Sequence, residues 1–144
     1  FSGNSPCPCG SEKKYKKCCK LFHNGKNTNN ALELMKSRYS AYATNNSTYI
    51  INTTQDQNSD YSQDKMLWEK NIKQFIDDTK FNSLDILEFI DGEKEAFVTF
   101  KANIFINDKD ASFVEKSKFE FIKVFSFLTS PSTSTVPSRA NLGI

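Results

Sequence analysis

All four cysteines of the 144-residue chain fall between positions 7 and 19, in the run CPCGSEKKYKKCC. Cys7 stands beside Cys9, and Cys18 beside Cys19, so four thiolates converge on one tetrahedral ion once the residues between the pairs fold back. Thiolate ligands at this spacing favour Zn2+ over harder cations. Two other chemistries compete. Disulfides are one, but adjacent cysteines such as Cys18 and Cys19 are badly placed to bridge each other, and the chain bears no mark of secretion. A redox-active dithiol is the other, and it needs only two thiols. The reading carried forward is a zinc knuckle with Cys7, Cys9, Cys18 and Cys19 as ligands.

The residues between the pairs suit that purpose. Gly10 follows the first pair, where a sharp turn aims backbone N–H groups at sulfur, and glycine tolerates the positive φ such a turn demands. Ser11 is placed to cap a helical turn over residues 12–17 that returns Cys18 to the ion. Zinc with four thiolates is formally dianionic, and Lys13, Lys14, Lys16, Lys17 and Lys20 lie where they offset it. Those lysines read equally as a solvated face or as a docking surface. With Tyr15 between them, Lys13, Lys14, Lys16 and Lys17 form the candidate partner-binding set, for an acidic protein surface or for ribosomal RNA. Tyr15 has an alternative role, as a cover over the metal site. His23, the one histidine of the chain, is expected to make a structural hydrogen bond where the knuckle joins the next domain, since four thiolates already fill the shell.

The run CPCGSEKKYKKCC resembles the SEC-C zinc motif at the carboxy terminus of the SecA translocation ATPase, with Cys19 at the position held by cysteine or histidine. The continuation ALELMKSRYSAY, and later VEKSKFEFIKV, are similar to the YchJ family. In that family a SEC-C knuckle precedes a domain similar to nuclear transport factor 2. The resemblance covers residues 5–124. It implies an α+β fold in which helices sit inside a curved antiparallel sheet like a cone. It also implies, by analogy with the SecA motif and its export chaperone, a knuckle that docks on a protein.

Charge supports a local basic site. Residues 12–26 hold six lysines against one glutamate, and the net charge of +2 therefore leaves −3 for the remainder. No apolar run approaches the ~18 residues of a membrane span and no charged-then-apolar leader is present, so the expected location is the cytoplasm. The expected division is a knuckle over 1–25, a domain over 28–126 and a tail over 127–144. That tail is rich in serine, threonine and proline, and its composition predicts disorder or an aberrant sequence in place of the family's last hairpin.

Periodicity supplies the elements of the domain. Leu32, Met35, Tyr39 and Tyr42 predict a helix over residues 31–43 with one buried stripe, and Asn45 and Asn46 stop it. A short helix is expected over 47–53, a loop over 54–63, and a third helix through Trp68, Ile72, Phe75 and Ile76 to Asp78. Leu84, Ile86 and Ile90 predict a strand ending at Asp91 and Gly92, which read as a two-residue hairpin. Strict alternation from Ala96 to Ile106 predicts a half-buried strand. A third is expected from Ala111 to Val124, with Phe113, Glu115, Ser117, Phe119 and Phe121 on one face.

Catalytic groupings are scarce. With one histidine beside the knuckle there is no Ser/His/Asp set, and no glycine-rich phosphate loop occurs, so the chain is not expected to be an enzyme. One further candidate site lies inside the cone, where Arg38 would face Glu115 and Ser117. An internal ion pair is the plainer account of that grouping. Two functions follow: a zinc-stabilised binding module acting through its basic knuckle, or a pocket protein that binds or transforms a small ligand.

Overall fold

The computed structural model describes residues 1–55, 58, 60–121 and 131–134, the last four and Phe121 by backbone only. A 3-10 turn η1 (Tyr15–Lys17) and a short helix α1 (Cys19–His23) follow the first cysteine pair. Three helices come next, α2 (Ala31–Ala43), α3 (Ser47–Asn52) and α4 (Lys65–Asp78). The remainder is antiparallel sheet: β1 (Thr79–Asp91), β2 (Glu95–Ile106), β3 (Lys109–Asp110), β4 (Phe113–Phe121) and β5 (Pro131–Ser134). Helices first and sheet second make an α+β fold.

Polar side chains set the helix starts. Asn30, Asn46 and Asp64 each accept a hydrogen bond from the backbone N–H three residues on, at 2.9–3.1 Å. Asn45 takes the left-handed conformation (φ 60°) that ends α2. The sheet order is β1-β2-β4-β5, with β3 paired to the far end of β2. Asn107 and Asp108, both at positive φ, form the two-residue turn between β2 and β3.

Alternation holds along β2, where Ala96, Val98, Phe100, Ala102 and Ile104 are buried, and along β4, where Phe113, Glu115, Ser117 and Phe119 are. It fails along β1. The register slips between Phe81 and Ser83 and again between Ile86 and Glu88. Each slip is a bulge that inserts one residue and reverses the faces. Ile90, expected inside, is therefore exposed, and Phe89 packs against the core instead. The β1–β2 hairpin also differs from expectation. Its loop is the three residues 92–94, closed by the Gly92 N–H donating to the Glu95 carbonyl at 3.0 Å.

Two apolar clusters result. The larger joins α2, α3 and α4 to the inner face of the sheet; the smaller consists of Cys7, Cys9, Tyr15 and Cys19, with Cys18 at its edge. Helix α2 lies between them and is buried on more than the one expected stripe: Ser37, Arg38, Tyr39, Ser40, Ala41 and Tyr42 are all buried. Residues 131–134 were expected to lie outside the sheet, yet they pair with β4, Phe119 opposite Thr133. The rest of the expected disordered tail, and residues 122–124 of the expected third strand, lie outside the described residues. Among the described residues no helix is long and apolar enough to cross a membrane.

Candidate metal centre and the polar cluster of the domain

A small backbone ribbon builds the cysteine site. Cys7 N–H donates to Lys13 C=O at 2.8 Å, Tyr15 N–H to Ser5 C=O at 2.9 Å and Lys16 N–H to Gly3 C=O at 3.0 Å. The turn between these segments places Gly10 at φ 85° and Glu12 at φ 69°. Ser11 does not cap a helix there. Its hydroxyl accepts from Lys13 N–H at 3.2 Å and lies 3.1 Å from Cys18 Sγ. The helical turn is accordingly shorter than expected, three residues rather than six.

The four sulfur atoms lie within 4.8 Å of one another and could together hold a metal ion. Cys7, Cys9 and Cys19 are buried and Cys18 is half-buried. Cys9 Sγ and Cys18 Sγ are 3.7 Å apart, and Cys7 Sγ sits 3.6 Å from Ser40 Oγ on α2. Such crowding drives the thiols apart in acidity. Cys7 falls far below the usual thiol range because the Cys19 and Cys9 thiols donate to its sulfur. Cys19 is raised by its bonds to Cys7 and Cys9 and by burial. At Cys9 the bond from Cys19 favours the thiolate, but the bond to Cys7 and burial prevail and push it up to about 11. Four negative sulfurs are compatible here only around a cation.

Of the two roles expected for Tyr15, a contact residue among the lysines and a cover over the metal site, the structure shows the second, with the ring turned inward. Tyr15 is 8 % exposed, packs on the cysteines, and lies edge-on to Phe1 with ring centroids 5.3 Å apart. Its hydroxyl is 2.6 Å from His23 Nδ1, and His23 Nε2 is 2.8 Å from the Ser37 carbonyl. A carbonyl only accepts, so Nε2 carries the proton and Nδ1 accepts from Tyr15. Burial depresses the His23 pKa, which fits the neutral tautomer. His23 thus makes the structural bond expected of it and stays outside the sulfur cluster. Lys13, Lys14, Lys16 and Lys17 are all exposed.

Arg38, Glu115 and Ser117 are all buried, yet the expected ion pair is not found: among the described residues none of the ion pairs joins Arg38 to Glu115. Arg38 instead donates through Nη1 to Ile50 C=O at 3.1 Å, Thr53 Oγ1 at 2.6 Å and Thr54 Oγ1 at 3.1 Å. Glu115 Oε2 accepts from the Ser117 hydroxyl at 3.2 Å. The two halves meet electrostatically at Tyr42. Burial raises its pKa; Arg38 opposes the rise, and Asp60 and Glu115 add to it. Asp60, pushed up to about 6 by burial against the pull of Arg38, is a member that sequence reasoning missed. It lies in a loop with no period to read. Ser40 was missed too, because a serine on a helix carries no signal of what it faces.

A cysteine cluster built on a short ribbon and buttressed by a helices-on-sheet domain defines a recognised class of protein. The SEC-C motif matches residues 4–21, and the profile described as "YchJ, middle NTF2-like domain" matches residues 30–128. The chain belongs to the YchJ (UPF0225) family. It is 34 % identical over 125 residues to a UPF0225 protein of Shewanella sp. (strain MR-7), covering 80 % of this chain and 73 % of the relative. It is 32 % identical over 118 residues to one from Enterobacter sp. (strain 638), covering 78 % and 73 %. Among solved structures, a SEC-C motif protein of Rhodopseudomonas palustris superposes with a TM-score of 0.72 at 25 % identity, over 90 % of this chain and 95 % of that one. A SEC-C motif protein of Psychrobacter arcticus gives 0.74 at 25 % identity, over 93 % and 81 %.

Proposed function

We propose that the protein is a cytoplasmic binding module, not an enzyme, whose knuckle holds one Zn2+ on Cys7, Cys9, Cys18 and Cys19 and docks through Lys13, Lys14, Lys16 and Lys17 on an acidic protein surface. The sulfur geometry carries the metal half of this reading. Tetrahedral zinc with bonds of about 2.3 Å has sulfur–sulfur edges of about 3.8 Å, and Cys9 and Cys18 stand 3.7 Å apart; a disulfide would need about 2.05 Å. Zinc would serve here as a structural ion, closing the ribbon and fixing the lysines that project from it.

The exposed lysines support docking, because charges on a short pinned turn lose little freedom on binding. An acidic protein is favoured over RNA by the inward Tyr15, which withdraws the stacking ring that single-stranded RNA binding uses. Elemental analysis of reduced protein should find one zinc per chain, lost in a Cys7→Ser, Cys9→Ser variant; zinc-free protein overturns the metal assignment. Lys→Gln at all four positions should abolish capture of an acidic partner while zinc is retained. Capture at unchanged strength, or capture that nuclease treatment removes, overturns the docking half.

A further inference from the structure

Independently of the knuckle, the geometry points to a second site inside the domain, in which Arg38 binds the carboxylate of a small amphipathic monoanion. Arg38 is 6 % exposed. Its three protein bonds all leave from Nη1 and all end on neutral oxygens, those of Ile50, Thr53 and Thr54. Nε and Nη2 have no protein acceptor among the described residues. A guanidinium is always charged, and one withdrawn from water needs a counter-charge or full hydrogen bonding. The Nη1 bonds fix the plane of the group and supply neither.

The open edge of a guanidinium fork matches the two oxygens of a carboxylate. Charge in the surroundings restricts the ligand further. Asp60 and Glu115 both lie within electrostatic reach of the Tyr42 hydroxyl, as Arg38 does. Two acidic side chains so close would oppose a dianion such as phosphate more strongly than a single negative charge. Of the neighbours of Glu115 on the inner sheet face, Ser117 donates to it, while Phe100 opposite it and Phe113 along its own strand are apolar, with Phe119 beyond Ser117. A ligand with one carboxylate and a hydrocarbon body satisfies the cation and the wall together. Asp60, half-buried where the other members are buried, marks the side of the cluster nearest solvent.

Sodium octanoate is a suitable probe, and nitrogen-15 spectra of the whole protein read it directly. The chain has two arginines, Arg38 and Arg139, so an Arg139→Lys variant assigns the Arg38 Nε–H signal. Octanoate should shift that signal saturably, while octanol, which lacks the anion, and inorganic phosphate should leave it in place. Arg38→Lys, with folding checked in the same spectra, should weaken octanoate binding at least ten-fold. An unmoved Arg38 signal in the wild-type protein overturns the site even if the variant fails to fold. Octanol or phosphate binding as well as octanoate overturns the ligand class.

Discussion

Asp60 shows how one side chain reports on its surroundings. Its carboxyl titrates near 6 in the folded protein against 3.8 for a free one, because burial opposes the charge more than Arg38 attracts it. The folded state therefore holds this proton more tightly than the unfolded state does. Its contribution favours folding below pH 4 and is lost as the pH rises through 6. Asp60→Asn removes the ionisation, so the variant should be more stable than wild type at pH 8, by about 1 kcal/mol after solvent screening is allowed for. The advantage should vanish by pH 4. Urea titrations at the two pH values measure it, and a variant less stable at pH 8 would contradict the assignment. Among single residues, those legible in the sequence were the ones whose chemistry is tied to spacing, above all the cysteines. Tyr15 was legible with two roles, lysine-face contact or cover over the metal site, and spacing did not choose between them; Arg38 was legible as a residue worth noticing, but its partners were not. Whether Tyr15 faces solvent or sulfur depends on which way a ribbon rolls, and Arg38 found hydroxyls on α3 and just beyond it where a carboxylate was expected.

Elements were legible where one period persisted. Helix α2 has the expected boundaries, β2 keeps its alternation from end to end, and α4 stops at Asp78. Pattern reading failed where an element serves two neighbours or changes face midway. Helix α2 is buried against the knuckle as well as the sheet, and its serines, Ser37 and Ser40, make the knuckle contacts. In β1 two bulges exchange the inner and outer faces, an event with no signature in hydrophobic order. The β1–β2 hairpin offers a test at this scale. A Cβ on Gly92 would collide with the Glu95 carbonyl oxygen, a backbone atom that cannot swing aside. Gly92→Ala should cost about 1–3 kcal/mol and shift the amide resonances of Asp91 and Glu95 most. An unchanged midpoint of thermal unfolding would show that the loop has another low-energy form.

In the whole molecule the metal centre and the domain are two packed bodies that share one wall. Contacts across it run from Cys7 to Ser40, through the Tyr15–His23–Ser37 chain, and from the His23 ring to the Tyr49 ring. The domain has its own apolar core, whereas the knuckle's cluster is composed almost wholly of the cysteines themselves. Chelation should therefore unfold residues 1–25 and leave the domain folded. Trp68, the one tryptophan of the chain, is buried in the domain against Tyr61, so its emission should hold steady while amide signals of the knuckle collapse. A red-shifted Trp68 on metal removal would mean that the two bodies fold as one. The bulges of β1 have one more consequence. Among the described residues β1 ends the sheet on one side. A border kinked twice gives an incoming strand no straight row of donors and acceptors to zip onto, which guards that edge of the sheet against edge-to-edge polymerisation.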